Sequence, residues 1–307
     1  MRICKVIALS MVLPLCLSVL ASCSSAKLDA SQPQFREASV NGVQLPYELQ
    51  GTGETVVLIH GAIADYRAWD AARDAIGAHY RVVAPSNRYF GAASWPDDGA
   101  QFSMQTHADD LAAFIRTLNA GPVDLVGWSY GADIGLVVAV QHPGLVRSVF
   151  AYEPSLTTFV TDASDRKAIS ADQQQAFGPA FDASKRGDQQ AAVRPFVDGV
   201  NGVPGTYDRL PERLRVVTSE NARTIPLQLN APPPPAIACA DLGTIAVPVA
   251  IARGTLTRPF FRIAADTANR CIPGSRLVLI QNGRHLAPVE MPAEFDAAVL
   301  AFLSRRN

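Results

Sequence analysis

Residues 127–131 read Gly-Trp-Ser-Tyr-Gly, with one apolar run before them at 123–126 and another behind them at 134–140. A serine there stands where a buried strand must turn at once into a helix. The two glycines suit such a turn, because backbone meets backbone with no room for a Cβ atom. The turn projects the Ser129 hydroxyl from the C-terminal edge of a sheet, where it can act as a nucleophile once a base takes its proton. Isolated, a Gly-x-Ser-x-Gly motif is weak; a strand before it and a helix after it make it specific.

The elements that must carry this serine follow a regular alternation. Residues 55–61 predict a buried strand, 65–78 a helix with Asp65 as its N-cap, 80–86 a second strand and 103–118 a second helix. Strands over 123–129 and 146–153 enclose a helix over 132–141. Such alternation predicts a parallel sheet covered on both faces. Beyond residue 154 it stops. Residues 155–240 offer no comparable strand run, read as helical and polar, and close on Ala-Pro-Pro-Pro-Pro-Ala at 231–236. The order resumes with a strand over 247–254, a helix over 259–268, a strand over 275–283 and a last helix over 293–304. The expected organisation is therefore a signal segment at 1–22, a linker at 23–36, a core built from 37–154 and 241–307, and a helical lid inserted at 155–240.

From residue 37 onward the chain resembles the α/β-hydrolases. His60-Gly61-Ala62, after the first buried strand, resembles that family's oxyanion loop; Gly-Trp-Ser-Tyr-Gly resembles its nucleophile elbow; and residues 282–303 resemble its histidine loop and closing helix. The resemblance implies a mostly parallel, doubly wound sheet with an inserted lid, and a Ser–His–acid relay. Ser129 is then the nucleophile and His285 the general base, with the backbone N–H groups of Ala62 and Tyr130 as oxyanion donors. Of the five histidines, His285 follows the last strand, where the base must reach the elbow. His60 is expected to support its loop by hydrogen bonding.

The third member departs from the family's usual pattern. The family places its acid in a Gly-x-x-Asp motif after the strand at 247–254, but this chain reads Gly254-Thr255-Leu256-Thr257. Asp266 lies inside the following helix and is not expected to reach. One strand earlier, Phe-Ala-Tyr-Glu-Pro puts Glu153 at the tip of the strand after the elbow, a position from which some α/β-hydrolases supply the acid. Glu153 is the expected triad acid; the alternative is a partly buried helix-capping or lid-binding acid. Asp124 is expected to meet solvent or a loop, and Asp133 to favour the N-terminus of its helix on dipole grounds. Trp128 and Tyr130 are expected to line the pocket or to pack beside it. The segment 87–91 is assigned no chemistry.

The 307 residues, 48% of them hydrophobic with a formal net charge of −1, suit one domain with a large core and argue against a nucleic-acid partner. Arg2 and Lys5 precede an apolar run over 6–20, which reads as an export signal. Leu20-Ala21-Ser22-Cys23 resembles the lipobox of bacterial lipoproteins and makes Cys23 the expected lipidation site, with anchoring in the cell envelope. Ordinary cleavage near Ala26, giving a soluble periplasmic or secreted product, is the alternative. In the body of the chain Cys239 and Cys271 are the pair available for a disulfide in an oxidising compartment, the alternative being two buried thiols. No cluster of His, Asp and Cys suggests a metal site, and no cofactor is expected. An aspartate would have to replace Ser129 for dehalogenase or epoxide hydrolase chemistry. The expected function is hydrolysis of a small ester or similar acyl substrate through an acyl-enzyme. A slow-turnover ligand sensor and a cofactor-free perhydrolase are the alternatives.

Overall fold

A computed structural model describes residues 30–305 except Pro96. Residues 1–22, read above as an export signal, and Cys23 lie outside the described residues. The described residues form eight strands: β1 (Gln34–Val40), β2 (Val43–Gln50), β3 (Thr55–Ile59), β4 (Arg81–Pro85), β5 (Val123–Trp128), β6 (Val146–Tyr152), β7 (Val249–Gly254) and β8 (Arg276–Ile280). They form one sheet in the order β1-β2-β4-β3-β5-β6-β7-β8. The pairs β1–β2 and β2–β4 are antiparallel, and every pair from β4 to β8 is parallel.

Core helices are α1 (Asp70–Gly77), α2 (Met104–Thr117) and α3 (Tyr130–Gln141). Six more helices separate β6 from β7: α4 (Ala163–Lys185), α5 (Gln189–Asn201), α6 (Thr206–Arg209), α7 (Glu212–Glu220), α8 (Ile225–Leu229) and α9 (Cys239–Leu242). The chain closes with α10 (Pro259–Cys271), α11 (Ala287–Glu290) and α12 (Pro292–Ser304).

The chain winds one way from β3 through α1 to β4, then reverses through α2 to β5. Because crossovers between parallel strands are right-handed, the reversal puts α1 on one face and α2 on the other. It also opens a crevice at the carboxyl ends of β3 and β5, the place where such sheets bind ligands. Every residue of β3 and β5 is buried, the continuous apolar signature of strands covered on both faces. α3 is apolar all round because it packs against β5 and β6 below and α2 beside it.

The hairpin β1–β2 has no counterpart among the sequence expectations, and β1 starts inside the segment read as a linker: residues 34–36 belong to the sheet. This hairpin turns on Asn41-Gly42, both at positive φ (45° and 81°), a pair suited to the tight turn of a two-residue hairpin. Its polar-rich strands lie toward one sheet edge, half exposed, so they lack the continuous apolar run that marks the buried strands.

Asp124 also departs from expectation. Far from meeting solvent, it is fully buried at the start of β5 and receives Arg147 Nη2 at 2.7 Å and Ser148 Oγ at 2.7 Å from β6. Strand adjacency supplies the partners that the one-dimensional pattern hides. Cys239 of α9 and Cys271 at the end of α10 are joined by a disulfide.

Candidate active site

Ser129 sits between the last residue of β5 and the first of α3 with φ 56° and ψ −122°, a strained conformation for a residue with a side chain. Neighbouring contacts hold it there. Its N–H donates to Tyr152 O of β6 at 2.8 Å, and its own carbonyl accepts from Ala132 N and Asp133 N in the first turn of α3. A Cβ at Gly131 would lie 2.1 Å from Ile59 O, and one at Gly127 would lie 2.5 Å from Ala132 Cα. The glycines are therefore sterically required by the crossing of β3, β5 and α3.

Glu153 repeats this geometry one strand away. It follows the last residue of β6 with φ 46°, and its N–H donates to Ala252 O of β7 at 2.8 Å. The carboxylate is fully buried and accepts twice: from Gly254 N at 2.9 Å on Oε1, and from His285 Nδ1 at 2.8 Å on Oε2. A carboxylate there fixes the imidazole as the Nδ1–H tautomer and leaves the lone pair on Nε2. The His285 ring stacks on Phe261, with ring centroids 3.8 Å apart and planes at 10°. Asp266 is engaged elsewhere, 2.8 Å from Arg253 Nε.

Ser129 and His285 line one cavity of about 130 Å³, together with Ala62 and Tyr130. Tyr130 is the first residue of α3, where backbone N–H groups have no intrahelical acceptor and the helix dipole favours negative charge. The other walls are mostly apolar, with Ile63, Phe177, Phe196, Val197, Leu214 and Val289, and include the uncharged polar residues Ser155, Thr218 and Gln228. The lining contains no Lys, Arg, Asp or Glu among the described residues. Phe177, Phe196, Val197 and Leu214 come from the helices between β6 and β7.

The remaining residues singled out in the sequence support this arrangement. His60 is fully buried; its Nε2 accepts from Asn87 N at 2.9 Å and its Nδ1 lies 2.8 Å from Gly61 O, while burial lowers its pKa. Arg88, in the segment assigned no chemistry, makes two hydrogen bonds to Asp110. The carbonyl of Arg88 lies 3.1 Å from His107 Nε2, so that nitrogen carries the proton and Nδ1 accepts from Tyr130 OH at 2.8 Å. Burial drives the His107 pKa down to about 3, which keeps the ring neutral.

Asp133 does more than complement a helix dipole. It is fully buried and receives Ser155 N and Leu156 N, each at 2.8 Å, and Ser155 Oγ at 2.5 Å. Burial outweighs these donors and raises its pKa to about 7. Trp128 lines the cavity and donates Nε1 to His285 O at 2.9 Å. Sequence reading had no means of finding His107, Phe261 or the polar contacts of Trp128, because each depends on a partner remote in the chain.

The sequence model of the alpha/beta hydrolase fold matches residues 54–292, spanning the elbow, the insertion and the histidine loop. The chain belongs to the alpha/beta hydrolase fold family. Within that family it is 27% identical over 285 residues to a pyrrolizixenacetamide deacetylase of Xenorhabdus hominickii, covering 88% of this chain and 98% of the relative. It is 28% identical over 140 residues to a 2-(acetamidomethylene)succinate hydrolase of Mesorhizobium japonicum, covering 45% of this chain and 50% of that protein. The chain thus spans half the length of that curated relative. An esterase, RhEst1 from Rhodococcus sp. ECU1013, superposes with a TM-score of 0.73 at 22% identity, covering 89% of this chain and 99% of the esterase.

Proposed function

We propose that this alpha/beta hydrolase is a serine hydrolase that cleaves a small, neutral ester or similar acyl substrate by way of an acyl-enzyme. The observation that carries this reading is the 2.8 Å contact between His285 Nδ1 and Glu153 Oε2 at a cavity lined by Ser129, Ala62 and Tyr130. In the first half-reaction Ser129 Oγ adds to the acyl carbon and His285 Nε2 takes its proton. The backbone N–H groups of Ala62 and Tyr130 hold the oxyanion; losing one such donor costs about 3–4 kcal/mol of transition-state stabilisation. Collapse of the adduct transfers the proton to the leaving group, and water repeats the sequence on the acyl-enzyme. Glu153 holds the ring in its working tautomer and stabilises the imidazolium.

The wall chemistry supports a neutral substrate. The Mesorhizobium japonicum relative is named for a succinate, and succinates are dicarboxylates. A cavity whose lining holds no Lys or Arg would leave two carboxylates without a partner, at a cost of several kcal/mol. Deacetylation, named for the Xenorhabdus hominickii relative, needs no such partner.

The test is labelling with a fluorophosphonate probe together with turnover of p-nitrophenyl acetate and butyrate. Both signals should vanish in Ser129→Ala, with a rate loss of at least about 1,000-fold. Labelling of wild type without turnover would favour a ligand sensor, and activity surviving in Ser129→Ala would reject the reading. We also propose that a lipid on Cys23 anchors the protein in the cell envelope, a reading supported by the lipobox-like stretch at 20–23. Cys23→Ser should shift the protein out of the membrane fraction; an unchanged membrane fraction would reject lipidation.

A further inference from the structure

Three side chains grip the backbone on either side of and at His285. Tyr152 OH donates to Arg284 O at 2.6 Å, Trp128 Nε1 donates to His285 O at 2.9 Å, and Leu286 N donates to Asn201 Oδ1 at 3.1 Å. The first two arise from β6 and β5, the rigid sheet that also carries Glu153 and Ser129. The third does not. Asn201 is the last residue of α5, in the helical insertion, and it is 2% exposed. Its amide is oriented without ambiguity: Leu286 N can only donate, so Oδ1 faces it. Nδ2 faces the Glu290 carboxylate, 3.2 Å from each oxygen, and lies 3.2 Å from Thr206 Oγ1. Val197 and Val200, four residues and one residue before Asn201 on α5, line the substrate cavity.

We propose that Asn201 is a positioning residue for His285, coupling the end of helix α5 to the placement of the general base. The inference rests on the assignment of His285 as that base. A substrate pressing on Val197 and Val200 and a histidine loop hydrogen-bonded to Asn201 then share one helix end. Displacing α5 removes a hydrogen bond from the residue next to the base. The insertion thus contributes to catalytic geometry as well as to the shape of the pocket.

Two variants and two substrates test this. Asn201→Leu keeps the branching at Cγ and removes the acceptor. It should lower kcat about 10- to 100-fold, the scale expected when a reacting group is misplaced by about an ångström, with KM little changed. The factor should be the same for p-nitrophenyl acetate and butyrate, since the base serves both. Asn201→Asp keeps the acceptor but sets a second carboxylate against Glu290; combined with Glu290→Gln, whose amide can donate to it, the double variant should recover to within about threefold of Glu290→Gln alone. A loss confined to KM, or to the longer ester, would make Asn201 a wall residue only. Failure of the folded double variant to recover would also overturn the coupling. Turnover surviving in Ser129→Ala, by contrast, would overturn the serine hydrolase assignment itself.

Discussion

Ser129 and Glu153 stand at the tips of neighbouring strands, both with side chains at positive φ, and each is pinned by a backbone hydrogen bond to the next strand. The helices α4, α5 and α7 reach the core by other means. Asp172 of α4 pairs with Arg258 at 2.7 Å, Asn201 of α5 accepts from Leu286 N at 3.1 Å, and Asn221 at the end of α7 donates to Asp65 at 2.8 Å. At the sheet rim, geometry is enforced by backbone crowding, to which side chains add little. In the insertion, apolar residues such as Ile169, Phe196 and Ile225 pack into the common core, and a few buried polar side chains add ties between residues far apart in sequence. The proposed nucleophile and acid therefore sit on strand tips fixed by the sheet, while part of the cavity wall, with Phe177, Phe196 and Leu214, comes from the insertion.

The strongest way to break this contrast is at Glu153. Glu153→Gln preserves shape but offers an amide to Gly254 N and His285 Nδ1, and it cannot balance an imidazolium. It should lower kcat by about 10,000-fold with the thermal transition little changed. Near-normal turnover would move the acid elsewhere. Next comes Gly131→Ala, whose new Cβ would meet Ile59 O at 2.1 Å. Backbone must shift to relieve it, so a loss of several kcal/mol or failure to fold is expected, read by urea denaturation. A well-folded, fully active Gly131→Ala protein would contradict steric enforcement at the rim.

Removing the disulfide sharpens the comparison from the other side. It closes a loop with a sequence separation of 32 between the end of the insertion and α10. Replacing Cys239 and Cys271 by Ser should cost about 4 kcal/mol by the chain-entropy relation, with kcat nearly unchanged in the folded protein. A proportionate fall in kcat would show that the chemistry depends on this staple.

The smallest effect belongs to Asp133, where α3 holds the first residues after β6. Its carboxyl pKa is raised from 3.8 to about 7 by burial, so the native state keeps a proton that the unfolded chain releases. Stability linked to this group is highest near pH 4, falls as pH rises toward 7, and levels off above it. Asp133→Asn keeps an acceptor for Ser155 N and Leu156 N and abolishes the titration. The stability difference between variant and wild type should therefore grow in the variant's favour by roughly 3 kcal/mol between pH 5 and pH 8. A pH-independent difference in urea midpoints would refute the assignment.

Much of this could be read from the chain alone. The buried strands and the helices between them announced themselves by apolar runs and turn residues, because local periodicity reports which faces are covered. The glycines around Ser129 and the strand-tip position of Glu153 were equally legible, since both are properties of a short stretch. The edge hairpin β1–β2 was not, because edge strands need no apolar run. The burial of Asp124 was hidden for a different reason: its partners Arg147 and Ser148 lie one strand away, and only pairing brings them to it.

The amino-acid order determined the parallel α/β architecture, the elbow serine, the histidine after the last strand and the absence of a carboxylate at Thr257, all through patterns a few residues long. Tertiary structure alone decided which oxygen of Glu153 meets His285, how Asn201, Trp128 and Tyr152 converge on the histidine loop, and that the cavity wall carries no formal charge. Those contacts join segments up to 157 residues apart, as between Trp128 and His285. Strand order and register, which no local pattern encodes, set their distances.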